Sequence, residues 1–415
     1  MKRSRAALMA LLLATSCGPA PTAEPSATQI LVAATATPTE PLQTTTPATP
    51  EPSPTPIALP RCVGTKDGET IALCIPGARV DVDAAIGERD AAAIAAQVSD
   101  DLVAVQGDFE WTLRTTARVD VYATTERYAS GLRTVFGYSK ATADYLADSS
   151  VAFFEPSLGR IAVSWDQVRD RRPIAAIRHE LTHLVTLEAC APRCDLVPAW
   201  LNEGQARLAE ALIPGADWRM MRVRYEAASM VATTTVMPLT ALWTQRQWNA
   251  IGDWAGYYKY QEAARAVELL RADIGDRPIA RLYARIRVGD DVTRAYASLT
   301  GRSFTTFTAT LNDRLAGDVA LHPDVATVVP GADGHGASYL LYGFPAEAPV
   351  TIRLRSRQVD ESQEIAVSPQ GTYFGSIDDS YPPGAYTLTT VSGATTISVT
   401  VTKRGGRSSL MPRRD

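Results

Sequence analysis

Between Asp90 and Val105 apolar residues return every three to four positions, which predicts a helix. Val119-Asp120-Val121-Tyr122 then alternates and reads as a strand, and a second helix is expected around Thr125 to Phe136. Ala152 to Phe154 and Ile161 to Trp165 are short strand-like runs flanking Pro156-Ser157-Leu158-Gly159, a hairpin signal. From Ile174 to Leu187 the chain has the apolar content of a buried helix, with Ile174, Ile177, Leu181 and Leu184 on one face, and another helix is expected to start after Pro198. Helical spacing returns in Ile251 to Gly275, with a run to Leu270, and continues from Pro278 to Leu315 with a turn at Gly301-Arg302-Ser303. Beyond Leu315 the period becomes two: Val350-Thr351-Ile352-Arg353-Leu354 and Tyr386-Thr387-Leu388-Thr389 alternate, and Pro382-Pro383-Gly384-Ala385 marks a turn. The pattern predicts an α+β chain, with a mixed sheet plus helices, then a mostly helical subdomain, then an all-β module over residues 325–403.

Both ends of the chain fall outside this patterning. Residues 1–16 have a basic front (Lys2, Arg3, Arg5) and an apolar run from Ala6 to Ala14, too short to span a bilayer, and read as an export signal. Leu13-Ala14-Thr15-Ser16-Cys17 resembles a bacterial lipoprotein cleavage box, which makes Cys17 the expected lipidated residue and the outer face of a bacterial membrane the expected location. Residues 17–60 are dominated by Pro, Thr, Ala, Ser and Glu and cannot bury a core. Such a tether, at about 3.1 Å per residue, reaches up to roughly 130 Å. Residues 404–415 form a basic tail, and residues 61–318 remain for the main folded unit. Five cysteines less Cys17 leave two pairs close in sequence, Cys62 with Cys74 and Cys190 with Cys194, read as local disulfides of an exported protein. A net charge of -4 gives no nucleic-acid footprint.

The chemistry concentrates in one stretch. His179-Glu180-Leu181-Thr182-His183 places two imidazoles on one helix face, where both can reach one metal ion, with Glu180 beside them. The chain has only four histidines, and the other two, His322 and His335, offer no ligand pattern. A catalytic zinc takes three protein ligands and keeps a fourth position for water, and Glu203, in Trp200-Leu201-Asn202-Glu203-Gly204 on the next helix, is the third ligand available. Zinc in such a site acidifies water, and Glu180 can take the proton and pass it to a leaving amine, which is peptide-bond hydrolysis. Glu210, two turns beyond Glu203, lies near the same face and is a candidate hydrogen-bond partner for a ligand histidine.

HELTH followed by WLNEGQA resembles the gluzincin metallopeptidases, specifically the bacterial peptidase MA-like proteins, whose catalytic core is similar to those of thermolysin and aminopeptidase N. The resemblance covers about Asp90 to Leu315 and implies a zincin-like core of two subdomains with the active-site cleft between them. It also implies zinc, one per chain, on His179, His183 and Glu203, with Glu180 as general base. The metzincin pattern fails, because Thr186 and Ala189 stand where it needs a glycine and a third histidine. An oxyanion needs a donor beside the zinc, and with no histidine in Ile251 to Gly275 a tyrosine is the candidate type, Tyr257, Tyr258 or Tyr260. The order from Tyr260 through Val267 to Leu270 is similar to the helix carrying the catalytic tyrosine in aminopeptidase N-like enzymes, which favours Tyr260. In zinc peptidases of this architecture the strand before the metal helix is the sheet edge that pairs with substrate, here Ala162 to Ser164, with an ordinary sheet strand as the other reading of these residues. The stretch that grips a free amino terminus in the aminopeptidases has no counterpart at Arg160 to Ser164, so an endopeptidase acting on polypeptide is expected. The β module resembles immunoglobulin-like or fibronectin-like sandwiches. A catalytically idle surface lipoprotein, binding a partner on a peptidase scaffold, is the alternative.

Overall fold

The structure, a computed structural model, describes residues 62, 68–169, 173–214, 218–232, 236–317, 327–332, 337–344, 349–367, 373–377 and 381–403. The expectations for residues 1–60, Cys17, His322, His335 and the tail at 404–415 lie outside them.

The first layer is a five-stranded sheet with the order β1-β2-β3-β5-β4, from β1 (Thr70–Ile75), β2 (Ala78–Asp83), β3 (Ala117–Tyr122), β4 (Ala152–Glu155) and β5 (Arg160–Ser164). It is mixed: β2, β3 and β5 run parallel, while β1 and β4 are antiparallel flanks. Strands β2 and β3 share the sequence Ala-Arg-Val-Asp-Val and pair it in register, Ala78 against Ala117 and Asp81 against Asp120. A period of two then sorts the faces. Val80, Val82, Val119, Val121, Ile161 and Val163 are fully buried in the main core, while Arg79, Asp81, Asp120 and Arg160 carry the charges on the other side, where Arg160 pairs with Asp120.

Helix α1 (Glu88–Phe109) lays Ile94, Val98, Leu102 and Val105 on that apolar face, with Glu88 and Asp90 in its first turn favourably placed against the helix dipole. Helices α2 (Thr125–Thr134) and α3 (Lys140–Ser149) cover the other face with a smaller cluster around Tyr128, Leu132 and Phe153. The metal-motif helix α4 (Ala175–Cys190) is buried on every side from Ile177 to Thr186. It is thus the central strut of the domain, the buried helix that its apolar content predicted.

Helices α5 (Ala199–Ala211), α6 (Trp218–Ala232), α7 (Gln245–Ala250), α8 (Asp253–Ile274), α9 (Pro278–Arg287), α10 (Val292–Thr300) and α11 (Phe304–Gly317) complete the unit. A single apolar cluster runs from Ile71 to Leu315 through sheet and helices alike, because α4 presents apolar side chains to both. Polar ties reinforce the join: Arg271 of α8 grips Asp108 of α1 through two 2.7 Å bonds, and Gln205 of α5 donates to the same carboxylate at 2.7 Å. Beyond α11 the regular elements among the described residues are all strands, with one antiparallel sheet ordered β10-β7-β6 and another ordered β12-β11-β8-β9, from β6 (Thr327–Ala332), β7 (Ala337–Tyr342), β8 (Pro349–Arg355), β9 (Asp360–Ala366), β10 (Tyr373–Ile377), β11 (Gly384–Ser392) and β12 (Thr395–Lys403). The sheets share a core that includes Leu341, Val350, Ile352, Ile377, Tyr386 and Leu388.

Both predicted cysteine pairs are disulfides, with Cα separations of 5.1 Å for Cys62–Cys74 and 4.9 Å for Cys190–Cys194. The first ties the entering chain to β1, and the second closes the loop between α4 and α5. Of the two readings of Ala162 to Ser164, the ordinary sheet strand is the one observed. Ala162 to Ser164 do not form a sheet edge: β5 pairs with β3 on one side and β4 on the other, so the edge is β4. The hairpin was legible, but which of its arms lies outermost depends on the parallel pairing with β3, a contact far away in sequence.

Candidate metal centre

One turn of α4 separates His179 from His183, and their rings stand 4.7 Å apart in an edge arrangement at 77°. Helix α5 brings Glu203 to both: its Oε2 lies 3.7 Å from Nε2 of each histidine. Among the described residues these three form the one cluster of His, Cys, Asp or Glu in which each side chain can aim a ligand atom at a common point, all within 4.8 Å of one another.

What fixes the histidines is the other ring nitrogen. Nδ1 of His179 lies 2.6 Å from Glu210 Oε1, and Nδ1 of His183 lies 3.1 Å from Asn202 Oδ1. Both partners are acceptors, so each Nδ1 carries the proton and each Nε2 is left with a lone pair facing Glu203. Burial, partly offset by Glu203, lowers the His183 pKa to about 4, so its imidazole is neutral at pH 7, the form that binds metal. Burial by itself would raise Glu210, but the charge of Arg207 and the bond to His179 outweigh it and hold this carboxylate at about 2. Arg207 pairs with Glu210 directly. Glu210 is therefore the histidine partner its position suggested. Asn202 was not singled out in the sequence; a polar residue in the otherwise apolar first turn of α5 was the available signal.

The cluster is suited to a cation. Nε2 of His183 and both oxygens of Glu203 are buried with no hydrogen-bond partner among the described residues. Such a carboxylate is costly unless a positive charge meets it. Two neutral imidazole nitrogens and a carboxylate are a ligand set that holds a divalent metal.

Glu180 is fully buried beside the trio, and burial, assisted by the charges of Glu203 and Glu210, raises it to about 8. Its carboxylate accepts the backbone N–H of Phe154, so it lies against the edge strand β4. The tyrosine ring next to the histidines is that of Tyr260, with its centroid 6.3 Å from that of His179. Tyr258 is buried on the same helix, and the side chain of Tyr257 lies outside the described part.

Gly204 explains how α8 comes so close. A Cβ on this residue would sit 2.5 Å from the Ala263 carbonyl oxygen and 2.9 Å from Val267 Cγ2. Only glycine allows the helices bearing Glu203 and Tyr260 to touch backbone to backbone. Two more groups of α8 went unnoticed in the sequence, and both hold the segment before it. Lys259 is buried and donates to the carbonyls of Trp248 and Ile251, while Glu262 accepts the N–H of Met237 at 3.1 Å. Burial takes Lys259 down to about 8, against the opposing pull of Glu203.

Comparison with family models, with curated proteins and with solved structures finds no match for this chain.

Proposed function

We propose that this chain is a zinc-dependent endopeptidase of gluzincin type, with a zincin-like core and an immunoglobulin-like module. In this reading it is exported and lipid-anchored through Cys17 at the outer face of a bacterial membrane. The observation that carries the reading is the convergence of His179, His183 and Glu203 on one point with a fourth, non-ligating carboxylate, Glu180, alongside it. A structural metal site needs the first three and has no use for the last.

His179, His183 and Glu203 would hold the metal, which when bound supplies a Lewis acid that polarises the scissile carbonyl and acidifies water. The remaining work belongs to the chain. Glu210 and Asn202 keep both Nε2 lone pairs directed inward. Glu180 takes a proton from the attacking water and delivers it to the leaving nitrogen. Tyr260, at the side of His179, donates its hydroxyl proton in a hydrogen bond to the oxyanion as it develops. An extended peptide laid along the outer edge of β4 brings a carbonyl beside Glu180, since Phe154 already directs its N–H there.

The rival reading, a metal held only structurally in a binding protein, draws on the burial of the site: His179, Glu180 and Glu203 are 0% exposed. The two are separated by metal analysis and peptide-library cleavage on the full chain and its Glu180→Gln variant. We expect about one zinc per chain in both proteins, with cleavage falling at least ~1000-fold in the variant. Zinc in both and cleavage in neither would favour the binding protein; no zinc in either would remove the metal site.

A further inference from the structure

We propose that Lys259 is a positioning residue for Tyr260, acting through Trp248 and on the tyrosine ring itself. This rests on the peptidase reading for its kinetic consequence and on the geometry alone for its structural one.

Lysine is rarely buried without a partner charge. Lys259 is 6% exposed, yet its Nζ donates to two backbone carbonyls, Trp248 at 2.7 Å and Ile251 at 2.9 Å. These carbonyls belong to the last turn of α7 and the residue after it, the negative end of the helix dipole, and the Trp248 carbonyl also accepts the Ile251 N–H at 3.3 Å. The same ammonium lies 4.9 Å from the centroid of the Trp248 ring, a cation–π contact. Trp248 is thus held at its carbonyl and at its ring by one side chain.

Its ring has a second neighbour. Trp248 meets Tyr260 edge to face, with centroids 4.9 Å apart at 90°, and is 1% exposed. Tyr260 therefore stands between a wall, Trp248, and the metal-site ring of His179. The direction of its hydroxyl follows from where that wall is. The Lys259 ammonium also lies 5.8 Å from the Tyr260 ring centroid, so Lys259 holds its neighbour both directly and by fixing the wall that the neighbour leans on. Misplacing a reacting group by about an ångström can cost ~100-fold in rate, so a small release of Trp248 is enough.

The test is a double-mutant cycle on the full chain with Lys259→Met, Tyr260→Phe and the double variant. Zinc content and far-UV circular dichroism verify that each is folded and loaded. We expect kcat to fall about 10- to 100-fold in Lys259→Met with KM within about 3-fold, and the double variant to be no slower than Tyr260→Phe. Lys259→Arg, which keeps the charge and the donors, should recover part of the loss. Independent losses that multiply in the double variant, or a KM that rises with kcat unchanged, would overturn the proposal. A readout without catalysis stands beside it: the near-UV dichroism change on Tyr260→Phe, which reports the Trp248–Tyr260 pair, should shrink in the Lys259→Met background. If the parent chain binds zinc but cleaves nothing, the peptidase reading fails while this signal still decides the positioning. An unchanged signal rejects it.

Discussion

A histidine becomes a metal ligand only when its second nitrogen is occupied, and here the two histidines are set by chemically different partners. Glu210 offers a carboxylate, itself neutralised by Arg207, while Asn202 offers an uncharged carbonyl. The carboxylate makes His179 the more basic ligand, and the amide does little beyond orientation. Glu210→Gln and Asn202→Ala should each weaken metal affinity by about 10- to 100-fold, measured by competition with a chelating indicator at pH 7. Unchanged affinity in both would mean that helix geometry alone orients the rings. At this scale the sequence was informative because the ligand spacing is local: i and i+4 on a helix meet however the helix is packed. Asn202 was not legible, since its role depends on the angle at which α5 meets α4.

Among the elements, the contact between α5 and α8 decides the site, and Gly204 decides the contact. Glycine inside a helix is worse than alanine by about 1 kcal/mol, so on propensity alone Gly204→Ala should stabilise. The added methyl would meet backbone, the Ala263 carbonyl at 2.5 Å, and backbone cannot rotate aside as a long side chain can. Overpacking of this kind costs about 1–3 kcal/mol, so we expect the sum to be destabilising. Urea unfolding reads the sign directly, and a variant more stable than the parent would show that the helices separate easily. The elements themselves were largely legible where the period is long and regular: α1 extends Glu88–Phe109 where Asp90 to Val105 was expected, and α2, β3, β4 and β5 fall where the pattern put them. Strands β1 and β2 were not identified, although the repeat of Ala-Arg-Val-Asp-Val at residues 78 and 117 was there to find. Whether β5 lies inside the sheet or at its edge stayed open, because strand order is a tertiary property that no local alternation encodes.

For the molecule as a whole, the cost of building a buried polar site falls on global stability, and Glu262 makes it measurable apart from the metal. Both its oxygens are inside, one accepting from Met237 N–H and the other without a partner among the described residues. Burial raises its pKa from 4.5 to about 8, only partly countered by the Met237 bond. The folded chain therefore keeps a proton that the unfolded chain gives up above pH 4.5. Its stabilising contribution is complete below that pH and is lost as pH rises through 8, by a few kcal/mol in all. Glu180, also raised to about 8, adds a slope of the same sign in metal-free protein, so only the difference between parent and variant isolates Glu262. Glu262→Gln keeps an acceptor for Met237 and removes the charge. Between pH 5 and 9 the urea midpoint of the parent should fall more steeply than that of the variant, the gap opening towards the alkaline end. Parallel curves would mean that Glu262 ionises in the fold as readily as out of it, because water reaches this part of α8. The closed interface between α8 and the segment from Met237 to Ile251, on which the placement of Tyr260 depends, would then be open to solvent as well.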